Sequence, residues 1–346
     1  MIKTIRRYLI GLALFCAACG AQPQVIELTG QTMGSTYNIV VVDRAGEMDR
    51  VTLQSAIDET LALVNARFSN WDSESEVSRF NRLQTTAPVP ISEDFREVME
   101  IAYEVHAASE GQFDVTLAPL VELWGFGAPG PSQTPPSDAA IAAVMESIGQ
   151  TRALALENEG PQLRKTVPTA TIYLAAIAKG YGIDKVAETI ASLGAEDYMV
   201  EIGGDLVAAG VNPSGQAWRI GVERPDAINR RVEEIVEISG LGMATSGDYR
   251  NYFEENGVRY SHIIDAETGR PVTHTTASVT VLAQTGALAD AWATALLVLG
   301  AERGMSIAEK HDIGALFIVR RQDDAEAPFD LIPSSRFADL QSANED

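Results

Sequence analysis

Apolar residues recur along the chain with two periods. Between Asp49 and Phe68, the positions Ile57, Leu61, Val64 and Phe68 fall at helical spacing and predict an amphipathic helix. Ser92 caps a second helix carrying Phe95, Val98, Ala102 and Val105 on one face and ending before Gly111. Helices are also predicted over Ser137–Ile148, Ala176–Leu193 and Ala287–Leu299. Short runs read as strands: Thr36–Val42, Ala153–Leu156, Thr171–Leu174, Tyr198–Ile202, Trp218–Val222, Val232–Ile238, Tyr260–Ile264, Ser278–Leu282 and Ala315–Val319. Ala128 to Asp138, with four prolines, reads as a surface loop or a joint between two lobes. Meandering strands with helices inserted irregularly predict an α+β fold with mixed or antiparallel sheets, not a doubly wound one.

The N-terminus follows another pattern. Lys3, Arg6 and Arg7 precede an apolar run, Tyr8 to Phe15, and then Cys16-Ala17-Ala18-Cys19. This is a secretory signal over 1–18, too short for a permanent membrane span. Its last four residues resemble the bacterial lipobox, with Cys16 in place of the usual Leu. The expectation is lipidation at Cys19 and a chain anchored to a bacterial cell membrane, facing the periplasm. Ordinary cleavage after Ala18 is the alternative. Residues 19–30 then read as a tether, 31–322 as the functional domain and 323–346 as a loosely held tail.

Charge narrows the function. With 26 basic and 48 acidic residues, the net charge of −22 repels polyanions and argues against nucleic-acid binding. An anionic ligand must therefore be held by local devices: backbone N–H groups, a single Lys or a metal ion. Lys179, in Ala-Lys-Gly-Tyr at a helix start, is either such a device, with helix N–H groups forming a phosphate cradle, or a solvated side chain. Asp290 and Thr294 are four apart on one helix face; they suit Mg²⁺, or else bond only to each other. His262, between Ser261 and Asp265 on a strand, is a general base or a hydrogen-bonded core histidine. Trp71 in a polar loop marks an aromatic-ring site or covers a helix end. Asp114 orients a polar cofactor edge or caps a turn, and Met33 packs on a flat ring or belongs to a plain turn.

In combination these segments are specific. Met33-Gly34-Ser35-Thr36, the stretch from Phe68 to Asn81, Gly111–Thr116 with Leu123–Gly127, Ala176–Tyr181, Ile202–Asp205, Thr245–Tyr249, Ser261–Asp265 and Ala289–Ala295 run in the order of one family. The chain resembles the FAD:protein FMN transferases, the ApbE lipoproteins, over about Gln31 to Val319. The resemblance implies a flavin-transferase fold with a nucleotide cleft between two lobes. It implies Mg²⁺-dependent cleavage of FAD, with FMN passed to a Thr or Ser hydroxyl of a target protein and AMP released. Target flavoproteins of this family are subunits of membrane electron-transport complexes of the sodium-pumping quinone reductase type.

By that resemblance, Met33 and Trp71 would contact flavin or adenine; Gln112, Phe113, Asp114 and Ile264 would line the nucleotide. Lys179 would hold phosphate oxygens, and Asp290, Thr294 and the carbonyl of Ala176 the metal. His262 would be the base for the acceptor hydroxyl. Three departures stand out: Tyr173 where a carboxylate is common, Trp71 for a common Tyr, and Ala293 where some members have a second acidic ligand. An FAD pyrophosphatase and a non-catalytic flavin-binding lipoprotein are the rival expectations.

Overall fold

The computed structural model describes residues 23–127, 134–226, 231–321 and 328–343. The lipidation position, Cys19, therefore lies outside the described residues. One eight-stranded sheet organises the chain. Its strands, β1 (Gln24–Thr32), β2 (Ser35–Asp43), β3 (Tyr198–Ile202), β4 (Asp205–Ala209), β5 (Leu241–Gly247), β6 (Thr276–Ala283), β7 (Gly314–Arg320) and β8 (Phe329–Pro333), are neighbours in chain order. Every neighbouring pair is antiparallel. Consecutive pairing keeps each strand beside its sequence neighbour, even where helices or hairpins intervene.

The helices that shape the site are α1 (Arg50–Phe68), α2 (Glu76–Arg82), α3 (Glu93–Ala108), α4 (Ala178–Ser192) and α5 (Gly286–Lys310). Asp49 and Ser92 cap α1 and α3 through bonds to the amides of Thr52 and Phe95. One sheet face packs Val200, Val279 and Val281 under α4 and α5. The other packs Met243, Leu282 and Leu316 under a hairpin, Trp218–Glu223 with Val232–Ile238, and a terminal helix, Ser335–Ser342. Covered on both faces, β6 is buried along nearly its whole length. Among the described residues no helix is long and apolar enough to cross a membrane.

Three expectations are corrected. The tether read over 19–30 is β1 from Gln24 onward, paired with β2 through the whole strand. The tail read over 323–346 contains β8 and a helix whose Phe337 is buried. Thr171–Leu174 belongs to no sheet: its backbone is held by two asparagine side chains and by one bond from the Tyr173 amide to the Val115 carbonyl. Asn70 and Asn81 each donate to the Ile172 carbonyl at 2.8 Å, and their side-chain oxygens accept from the amides of Leu174 and Ile172. Met33 and Gly34, both at positive φ, form the two-residue turn between β1 and β2.

Candidate functional site

The principal cavity, about 520 Å³, opens where the ends of β4 and β5 meet α4 and α5. Gln112, Phe113, Asp114, Ala176, Lys179, His262, Ile264, Asp290 and Thr294 all line it. Met33 and Trp71 are not among its lining residues. Met33 packs against α4, where a Cβ on Gly182 would come within 3.2 Å of its sulfur. Trp71 stands 73% exposed on the turn between α1 and α2.

The wall of the cavity is a network of buried charge. Lys179 Nζ lies 2.6 Å from Asp205, which is 3% exposed and also accepts from the Thr245 amide. Asp290, 5% exposed, accepts from the Gly180 amide at 3.0 Å through Oδ2, and its Oδ1 has no hydrogen-bond partner among the described residues. Thr294 shares a hydrogen bond of 3.0 Å with Ser246. Burial, and then the nearby Asp205, push the Asp290 carboxyl well above the usual carboxylate range, against the pull of Lys179. Burial alone would lower the Lys179 pKa, but Asp205 and Asp290 outweigh it and hold the ammonium above its ordinary value.

The helix start is not the amide cradle read from the sequence. The N–H groups of Ala178 and Tyr181 donate to Leu174 and Ile177, and that of Gly180 to Asp290. Of the devices read from the sequence, that leaves the Lys179 side chain as the candidate for holding an anion. Asp114 is likewise occupied: its carboxylate accepts from the amide and hydroxyl of Thr116 and from the amide of Gln150. It shapes the wall as a turn cap. Gln112 differs: its buried Oε1 has no partner among the described residues and is an open acceptor for an N–H or O–H of a bound molecule.

At the rim, His262 Nδ1 lies 3.0 Å from the Asn251 carbonyl. A carbonyl only accepts, so in the neutral ring Nδ1 carries the hydrogen and Nε2 keeps the lone pair. Burial lowers the His262 pKa from its ordinary value, partly offset by the Asn251 carbonyl and Asp248, which favours that neutral form. Asp248 anchors the loop bearing Asn251 through two bonds to Arg320 and one from Arg259 to its carbonyl. The Leu-Trp-Gly-Phe-Gly segment contributes an aromatic shelf: Trp124 and Phe253 stack on Tyr260, and Phe126 meets His262 edge-on at 6.3 Å.

A model of the ApbE family matches residues 33–317, most of the chain and every cavity wall. The chain belongs to the ApbE family. It is 43% identical over 321 residues to the FAD:protein FMN transferase of Vibrio cholerae serotype O1, covering 92% of this chain and 95% of that one. It is 39% identical over 341 residues to the FAD:protein FMN transferase of Haemophilus influenzae, covering 97% of each. Among solved structures it superposes on the flavin transferase ApbE from Vibrio cholerae with a TM-score of 0.83 at 42% identity, covering 92% of this chain and 99% of that one. The apo flavinyl transferase ApbE of Pseudomonas stutzeri gives a TM-score of 0.83 at 38% identity, with coverage of 92% and 98%.

Within this ApbE-family fold the structure adds residues that the sequence reading did not single out. Asp205 holds Lys179, Ser246 meets Thr294, and Asp184 accepts from the Gly286 and Ala287 amides at the start of α5. Asp205 and Ser246 lie in segments that carry the family resemblance, Ile202–Asp205 and Thr245–Tyr249; Asp184 lies in none of them. Arg250 and Glu223 also line the cavity.

Proposed function

We propose that this protein cleaves FAD and passes FMN to a Thr or Ser hydroxyl of a partner protein, with release of AMP. The observation that carries this reading is the convergence of Lys179, Asp290 with Thr294, and His262 on one cavity, in a chain whose relatives are named FAD:protein FMN transferases. Phosphoryl transfer needs positioning and charge neutralisation more than covalent help from the protein. Lys179 supplies fixed positive charge for the diphosphate, and Gln112 an acceptor for a polar edge of the nucleotide. The acceptor hydroxyl gives its proton to His262 Nε2 as its oxygen bonds to the FMN phosphorus. The pyrophosphate P–O bond breaks, and AMP leaves with the bridging oxygen.

The donor set fits Mg²⁺. Among the described residues no group of three His, Cys, Asp or Glu side chains forms a metal site, so any ion here would rely on fewer side chains and on water. A buried carboxylate with one open oxygen and a hydroxyl four residues on suit that role, with the Ala176 carbonyl as a further ligand. When bound, the ion would neutralise charge on the reacting phosphates.

The leader residues support a lipid anchor at Cys19 and a site facing the periplasm, where flavin subunits of sodium-pumping quinone reductase type complexes would be its targets. The test is purified protein with FAD, Mg²⁺ and such a subunit, scored for in-gel flavin fluorescence, AMP and free FMN. Fluorescent target with AMP is expected. Free FMN alone identifies a pyrophosphatase, and no product at all a binder. Labelling with a fatty-acid probe, lost in Cys19→Ser, tests the anchor.

A further inference from the structure

We propose that Arg250 is a second phosphate-binding cation of this cavity, held on Glu223 until the dinucleotide arrives; this rests on FAD being the substrate. Among the described lining residues, Asp114, Asp205, Glu223 and Asp290 face two fixed cations, Lys179 and Arg250. Asp114 is spent on Thr116 and Gln150, and Lys179 is already matched by Asp205 at 2.6 Å. Even with a bound divalent ion, a diphosphate adds negative charge to a wall that is already acidic, and Lys179, matched by Asp205, offsets little of it.

Arg250 is placed to make up the deficit. It leaves the loop after β5, and its Nη2 lies 2.5 Å from Glu223 Oε2 on the hairpin strand Trp218–Glu223, across the cavity rim. Its guanidinium carbon sits 5.5 Å from the Tyr249 ring centre. The Arg250 side chain is 53% exposed and that of Glu223 27%, so the pair is wet. A wet ion pair is worth no more than about a five-fold factor in an equilibrium. Phosphate can offer the flat guanidinium fork two oxygens, where Glu223 engages it through one. Arg250 can therefore exchange partners at little cost, whereas Lys179, paired with a buried carboxylate, cannot leave Asp205 unpaired.

The two ends of the pair have opposite predicted effects, which separates ligand binding from a structural tie between hairpin and loop. FAD affinity in the presence of Mg²⁺ is measured by flavin fluorescence for the wild type, Arg250→Met, Glu223→Gln and the double variant. Riboflavin, which lacks phosphate, is the control, and a thermal melt accompanies each protein. Arg250→Met should weaken FAD about 10- to 100-fold, the scale of a lost charge-assisted bond. Glu223→Gln should tighten FAD by about two- to five-fold by freeing the guanidinium, and this gain should vanish in the double variant. Riboflavin affinity should not move. Parallel weakening by both substitutions, unchanged FAD affinity, or equal changes for riboflavin would overturn the assignment. A wild type that binds no FAD would sink the substrate reading itself.

Discussion

The two sides of the cavity are built on different principles. The inner wall, with Lys179, Asp205, Asp290 and Thr294, stands on sheet strands and packed helices, and its two carboxylates are buried. The rim, with His262, Arg250 and Glu223, stands on loops and hairpins and is half open. A carboxylate pushed above its ordinary pKa by burial can be kept only by elements that do not relax, so a wall of this kind suits fixed phosphates and an ion. Loops tied by the Asn251–His262 and Asp248–Arg320 contacts, outside the packed core, leave space for a second protein to bring its hydroxyl in.

The contrast breaks most sharply at the wall. Asp290→Ala should lower FMN transfer by about 10³-fold or more, since a bound metal supplies several kcal/mol of charge stabilisation. Its melting temperature should hold or rise, because a repelled carboxylate leaves the core. A chelator should reproduce the loss; near-normal turnover in either case would remove Asp290 from the chemistry.

At the rim, His262→Ala should cost roughly 10²–10⁴-fold in transfer with FAD affinity retained. Because burial lowers its pKa, the base form persists below pH 6.5. Wild-type transfer should therefore show a fall on acidification below that value, and this fall should be absent from the residual rate of His262→Ala. Loss of FAD affinity with turnover intact would make His262 a binding residue.

Smaller effects test what supports the wall. Asn70 and Asn81 hold the segment that leads into Tyr173, Ala176 and Lys179. Asn81→Ala should destabilise by about 1–3 kcal/mol and reduce transfer several-fold. With Asn70→Ala added, the combined loss should be less than the sum, since both grip the Ile172 carbonyl. Strict additivity in urea melts would argue against a shared clamp.

The smallest expected signal is electrostatic. Lys165 is buried against the Phe80 ring, donating to the carbonyls of Asn81 and Leu83, and burial pushes its pKa down to about 8. From there up to its ordinary value of 10.5 the unfolded chain holds a proton that the folded one has released, so stability rises with pH across that window. Urea midpoints should show this rise in the wild type and a flatter profile in Lys165→Met. Parallel profiles would place the ammonium in contact with water.

Much of the wall was legible because its elements are long and strongly periodic. The cap Ser92, the helix read from Asp49 to Phe68, the helix that carries Asp290 and Thr294, and the strand Tyr198–Ile202 lie where the pattern put them. Two of the misreadings fall at the sheet edges, β1 and β8, where few side chains are buried. The strand β5 was missed because Leu-Gly-Met-Ala-Thr-Ser-Gly is too small and too rich in glycine to look like one. Pairs such as Lys179 with Asp205, or Glu223 with Arg250, leave no trace in spacing; only the fold brings them together. The Phe68–Asn81 stretch was read for its conspicuous Trp71, whereas its two asparagines do the holding.

The crossing of α4 and α5 has one further consequence. A Cβ on Gly180 would fall 2.2 Å from the Gly286 carbonyl oxygen, and one on Gly286 would fall 2.8 Å from that of Gly180. The helices touch backbone to backbone, and the Gly180 amide that closes the contact also donates to Asp290. Lys179 and Asp290 are thus set on two rods welded at one point. Any added atom there would displace Lys179 and Asp290 in the same stroke, so neither can drift without the other. Lineages that adapt this scaffold to new acceptors would have to vary the rim and inherit the weld unchanged.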